Sequence, residues 1–291
     1  MAIPGARADM DVTVGDASPA SQHEGFGRTR RARGELFGMW ANTRMVVLAA
    51  MSASLYAAIL IPFKVIPLIP GITELRPANA LPVVCSFLFG PAAAWGAAIG
   101  NMIGDTFGGL GPGDVFGFLG NLLYGLAPYR IWRALGGGRP VPETPLDWGR
   151  FILSVVGASA VCALVVGWGL NILGFVPFSV LGNVAFANNL IAAGLLSPLI
   201  LRVLYPRVER ALLLYQDVDP HPGPSRSRAI AGLLLFAIAV VGGHLVGNLV
   251  STGVWVPPWA WASDSPTRAL EVGLGVAPFV LLAVLALALL G

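Results

Sequence analysis

Seven polar side chains stand out because each lies within, or at the edge of, a strongly apolar stretch: Arg76, Asn79, Asn101, Asp105, Asn121, Asn188 and Asn189. A guanidinium and a carboxylate provide charge complementarity, and each carboxamide offers both donors and an acceptor. Together they suit recognition of a small polar solute rather than its conversion. Phe116, Phe118 and Tyr124 add aromatic faces against which a flat ring could pack. His244 and Asn248 stand one helical turn apart, but no second histidine or carboxylate accompanies them as a metal site requires, and no serine or cysteine nucleophile sits beside them. That pair reads as helix packing. Cys85 and Cys162 lie in apolar runs without CxxC spacing or a nearby histidine, which argues for two small buried residues rather than zinc or disulfide chemistry. No catalytic residue, metal ligand or cofactor is assigned.

The elements that must position these groups follow from composition. Hydrophobic residues make up 56% of the 291 positions, charged residues 11%, and the mean hydropathy is +0.75. A soluble domain carries about 25% charged residues, so this chain reads as an all-α polytopic membrane protein in contact with the lipid bilayer. The formal charge of +3 does not point to nucleic acid, because Lys64 is the one lysine and the arginines cluster at the ends of apolar runs. Apolar segments occupy 44–63, 80–107, 115–135, 151–172, 181–203, 229–250 and 268–290, most of them near the ~20 residues of a membrane-spanning helix. Within 80–107, Gly90–Pro91 joins a helix-stop residue to a helix-start residue. The segment is therefore one kinked span or two short ones. Two spans, for a total of eight, put the tail, the 136–150 loop and the 204–228 loop on one side. Of the 18 basic residues, only Lys64, Arg76 and Arg268 then lie opposite. The positive-inside rule prefers this arrangement to seven spans, with both termini cytoplasmic.

The expected organisation is a disordered cytoplasmic tail over 1–34, a six-helix substrate-binding membrane unit over 35–205, a cytoplasmic linker over 206–228 and a two-helix C-terminal addition over 229–291. The tail lacks the apolar core of a signal peptide. The second helix is too short to cross alone, and the Pro/Gly-rich stretch from Pro67 to Pro77 is expected to fold partly into the membrane beside it. On this topology Asn101, Asn121 and Asn188 each lie about 9–10 Å from the outer boundary, so the seven polar residues share one outer layer. Bland roles remain open for several of them. Asp114 and Asn79 suit helix caps, Asp105 suits pairing with Arg76, and the deep asparagines suit hydrogen bonds between helices. Asn171 suits the end of its helix, and Ser265–Pro266 the start of the last one. Trp255, Trp259 and Trp261 fit an interfacial aromatic belt.

Ala49, Ala53 and Ala57 repeat every fourth residue on the first span, with Ala50, Ser54 and Ala58 one step round; such rows let helices approach closely, within the chain or with a partner. The stretch from Glu74-Leu-Arg-Pro-Ala-Asn through Phe89-Gly-Pro to Gly100-Asn-Met-Ile-Gly-Asp105 resembles the substrate-binding membrane subunits (S components) of energy-coupling factor (ECF) transporters. The resemblance continues through Gly113-Asp114, Phe118-Leu-Gly-Asn121, Asn188-Asn-Leu-Ile and Tyr205-Pro-Arg, and covers about 44–207. It implies six helices with both ends cytoplasmic in a prokaryotic plasma membrane, and a vitamin-like micronutrient bound near the outer face. It also implies assembly with a coupling transmembrane subunit and two ATPase subunits through Ala49, Ala53 and Ala57. The long tail and the last two helices depart from that pattern. No GxxxxGK[ST] pattern occurs in the chain, so ATP chemistry would come from the partners. A stand-alone secondary transporter or channel is the main alternative, and an intramembrane enzyme using Asp105 or His244 a weaker one.

Overall fold

The computed structural model describes residues 34–63, 67–69, 73–74, 76–260 and 267–291. The tail (apart from Gly34), Lys64, Trp261 and Ser265–Pro266 fall outside them. A short α1 (Gly34–Gly38) and a 3-10 turn lead into α2 (Thr43–Phe63). Two very short strands, β1 (Pro67–Ile69) and β2 (Thr73–Glu74), pair antiparallel, and a 3-10 turn over Pro77–Asn79 opens α3 (Ala80–Phe89). There follow α4 (Pro91–Thr106), α5 (Asp114–Ala134), α6 (Pro145–Ile172), α7 (Phe178–Arg210), the single-turn α8 (Tyr215–Val218), α9 (Arg226–Ser251) and α10 (Ala269–Leu290). The protein is an all-α polytopic membrane protein; helices satisfy their own backbone groups, as hydrocarbon demands. By length and apolar character α2, α6, α7, α9 and α10 can each cross a bilayer. The expected six-helix unit stops at 205, but α7 continues to Arg210, so the segment joining it to α9 is shorter than expected.

Local chemistry explains the boundaries. Gly90 takes φ +53°, ending α3, and Pro91 supplies the first residue of α4, so the 80–107 segment is two helices. A side chain on Gly90 would also strike the Tyr215 ring at 2.8 Å. At the head of α6 a capping box operates: the Asp147 amide donates to Thr144 Oγ1 (3.2 Å) and the Thr144 amide to Asp147 Oδ2 (3.3 Å). Ser225 caps α9.

Packing registers show that helix direction alternates along the chain. On α4, Gly96 abuts Ser52 of α2 and Gly104 abuts Leu60, so these two helices run parallel. Gly125 of α5 lies on Ala93 of α4 while Gly117 lies by Asn101, an antiparallel register. Gly120 of α5 meets Val166 of α6, whereas Ile131 meets Gly157, again antiparallel. Tyr124 and Tyr129 of α5 hydrogen-bond to Asn79 and Ser86 at the two ends of α3, so α3 runs with α5 and against α4. In the added hairpin, Gly232 faces Leu290 and Gly242 faces Phe279. Despite its ten residues, α3 therefore counts as a reversal of the chain.

At the end of the bundle where α5 finishes, buried charges form a knot. Glu35 pairs with Arg130 (3.3 Å) and Arg133 (3.1 Å), and Tyr129 donates to the same carboxylate at 3.1 Å. Arg130 also donates to the Leu287 carbonyl of α10 (2.8 Å), and Arg133 to the Pro222 carbonyl of the α7–α9 connection (3.0 Å). Tyr215 of α8 lies over Gly90 and packs on Tyr129, and Arg133 lies over its ring. The segment before α2, the connection and the last helix are thus tied to α5 at one point. Counting Arg130 and Arg133 as boundary cations missed this burial.

Candidate functional site

At the opposite end of the bundle, α3 begins only at the level of Asn121 and Asn189. The room above it is a cavity of about 260 Å³. Its walls include Arg76, Asn79, Asn101, Asp105, Asn121, Asn188 and Asn189. All seven polar residues singled out from the sequence therefore converge on one space, although they come from the turn before α3 and from α4, α5 and α7.

The floor is a branched hydrogen-bond net. The Tyr56 hydroxyl donates to Asn79 Oδ1 (2.8 Å) and lies 3.2 Å from Asn121 Oδ1. Asn79 Nδ2 donates to Asn189 Oδ1 at 2.5 Å. Beneath them the Tyr124 hydroxyl donates to the Asn79 carbonyl at 2.9 Å. Asn79 occupies the cap position of α3, but its side chain serves this net instead of capping the helix. Buried polar groups of this kind rigidify a site when every member is bonded.

One wall is a relay. Arg76 Nη1 donates to Asn101 Oδ1 (3.1 Å), and Asn101 Nδ2 donates to Asp105 Oδ2 (2.6 Å) one turn further along α4. Asn101 thus stands between the guanidinium and the carboxylate and orients both. The Arg76 amide donates to Asn188 Oδ1 (3.4 Å), which joins the chain entering α3 to α7. Gly108, Gly109, Gly111 and Gly113 form the rim between α4 and α5. Asp114 Oδ2 accepts from the Gly111 amide (2.7 Å), closing that loop, and Asp114 also faces the cavity.

The remaining wall is apolar. Val166 and Leu170 of α6, Leu181 and Ala185 of α7, and Phe175 between them line it, and Cys162 lies at its base. Sequence reasoning missed these residues and took Cys162 for ordinary core. The spacing of 162, 166 and 170 puts them on one helical face, but every face of an apolar helix offers such a row, so the sequence did not single this one out. The aromatic expectation needs correction. Phe116 packs edge-on against Trp168, Phe118 against Trp95, and Tyr124 lies under the floor; none of the three lines the cavity, because their rings fill gaps between helices instead. The arrangement offers donors, acceptors and both charges on one side and an apolar slab on the other. That combination is chemically suited to a flat, polar-edged molecule. Among the described residues no group of three or more His, Cys, Asp or Glu is placed to hold a metal.

The alanine row expected to meet a partner is turned inward. Ala49, Ala53 and Ala57 are buried; the Ala53 carbonyl lies against Gly100 of α4, and Ala49 and Ala53 against Gly96. Glycine at those two positions is what lets α2 and α4 approach so closely. The neighbouring row, Ala50, Ser54 and Ala58, is exposed on α2 beside Val47, Met51, Leu55 and Ile59. Elsewhere, Asn171 accepts from the Phe178 amide (2.7 Å) and so joins α6 to α7, and Trp255 and Trp259 stack edge-on at 5.8 Å.

In comparison with known proteins, the family model described as QueT transporter aligns with residues 46–206, which includes every polar residue of the cavity. No curated protein matches, and no solved structure matches.

Proposed function

The chain belongs to the QueT transporter family, and from that premise we propose that it is the substrate-binding S component of an ECF uptake system, with a queuosine precursor as its cargo. The observation that carries this reading is the convergence of seven polar side chains from four segments on one cavity faced by an apolar wall. A queuosine precursor is built on 7-deazaguanine, a flat ring with a mixed donor–acceptor edge. Asn79, Asn121 and Asn189 present amides to such an edge, Arg76 and Asp105 present charge, and the Val166–Leu170 side of α6 packs on the ring face. The arginine-rich end is cytoplasmic by the positive-inside rule, so the cavity opens outward. The coupling subunit and its two ATPases dock on the exposed face of α2, where Ala50, Ser54 and Ala58 allow close approach. The division into tail, six-helix unit, linker and added hairpin is part of the same proposal, with the unit carried to the end of α7 at Arg210.

The test is mass spectrometry of small molecules released from the gently purified protein, with titration of 7-aminomethyl-7-deazaguanine and with guanine as control. Binding of the deazaguanine and its release from the native protein support the assignment; no binding of either base refutes it. Uptake into liposomes without any ATPase would instead mark a secondary transporter. For the docking face, Ser54→Trp is expected to abolish recovery of the ATPase-bearing partner in a pull-down while ligand affinity stays unchanged. Full partner recovery would exclude that face.

A further inference from the structure

The two helices added after residue 225 stand directly behind two walls of the cavity. Trp168 Nε1 donates to the Gly273 carbonyl of α10 (3.0 Å), and Trp168 lies between the cavity-lining Val166 and Leu170 on α6. His244 Nε2 of α9 lies 2.9 Å from the Ala160 carbonyl, two residues before Cys162. On α7 the fastening is denser. Asn183 Nδ2 donates to Asn248 Oδ1 (2.7 Å), and Asn248 Nδ2 faces Asn183 Oδ1 at 3.4 Å, so the amides of α7 and α9 pair reciprocally. One turn earlier, Ser251 donates to Ser179 Oγ (3.1 Å) and accepts from the Ser179 amide (3.2 Å). Phe178, at the start of α7, fits against Gly247 of α9, where a side chain would collide with the ring.

The faces of α7 are divided accordingly. Ser179 and Asn183 point to α9, while Leu181, Ala185, Asn188 and Asn189 line the cavity. A helix held on one face by paired amides presents its other face at a defined rotation. We propose that Asn248 is a positioning residue for the cavity: through Asn183 it sets the rotation of α7 that aims Asn188 and Asn189 at the bound solute. The binding unit of this chain is then eight helices, not six. This rests on the reading of the cavity as the ligand site.

The test uses the full chain and 7-aminomethyl-7-deazaguanine, with affinity, dissociation rate and melting temperature measured together. Asn248→Leu keeps the branched heavy-atom skeleton and removes the amide. It is expected to weaken affinity roughly threefold to tenfold, the range of a single hydrogen bond between membrane helices, through faster dissociation. Asn248→Gln retains an amide and is expected to restore most of the affinity. A packing role alone predicts that the Leu variant, with the same branching at this position, binds as well as the parent. In the Asn183→Leu/Asn248→Leu double variant the loss should equal that of either single change. If Asn248→Leu does not fold, Asn248→Ala, which removes the same amide without adding bulk, makes the same test. Parent binding with unchanged affinity in the folded variant overturns the inference and leaves the site intact. Failure of the parent itself to bind overturns the site.

Discussion

Two buried polar clusters occupy opposite ends of the same bundle, and they are built on different logic. The knot around Glu35 is made of full charges closed upon one another and upon backbone carbonyls. The cavity around Asn79 and Asn189 is made mainly of neutral amides, and its bonding groups border about 260 Å³ of open space. A charge in a low-dielectric interior must be neutralised by the protein itself, because nothing else is sure to be there. An amide can bond to neighbours, water or a guest at modest cost, so it can be left facing a space. Polar burial at one end therefore reads as fastening, and at the other as recognition.

Breaking the knot should have the larger effect. Arg130→Met leaves Glu35 with Arg133 and Tyr129 only and frees the Leu287 carbonyl, and is expected to destabilise the protein by about 1.5–3 kcal/mol, measured by denaturation in detergent. The protein that stays folded should bind ligand with unaltered affinity. A cost below about 1 kcal/mol would mean that the knot is ornamental to stability, in contrast to buried pairs elsewhere. The counterpart at the other end is Asn189→Leu, expected to weaken binding of a deazaguanine base about tenfold, near 1.4 kcal/mol, by titration calorimetry. Its melting temperature should move little, since the cavity is open to water that can take over the Asn79 donor. Unchanged affinity would remove Asn189 from the site. The smallest effect sharpens the boundary between cavity and core. Cys162 and Cys85 are both buried, but of the two only Cys162 borders the cavity. Cys162→Val should weaken binding about twofold by titration calorimetry and Cys85→Val should leave it unchanged; parent affinity in both variants would show that the guest does not reach the base of the cavity.

The sequence made some of this legible and concealed the rest for physical reasons. Asparagines and charges inside apolar runs are conspicuous, so all seven polar positions could be named, and Gly90–Pro91 together with the arginine distribution exposed the break between α3 and α4. Val166, Leu170 and Leu181 could not be told from lipid-facing residues, because residue type does not report which way a helix is rotated. The same ambiguity governs α2. Two adjacent rows of small residues were visible, and only the glycines of α4 decide which row is covered. Glu35 and Arg130 were hidden for another reason: nothing local in a chain signals an ion pair between residues 95 positions apart. The added hairpin reads in isolation as an appendage. Packed behind α6 and α7, it leaves α2 uncovered, so the extra helices and a partner on α2 would not compete for one flank.

The brevity of α3 sets a travel distance. Its ten residues rise about 15 Å, half of the roughly 30 Å hydrocarbon thickness, and the floor of the cavity is where that helix begins. In the uptake role proposed above, a solute resting on Asn79 and Asn189 would have descended half the membrane by diffusion alone. The driven step would then have only the second half to open, a plug of Val83, Val84, Phe87 and Leu88 with Tyr215 beneath it.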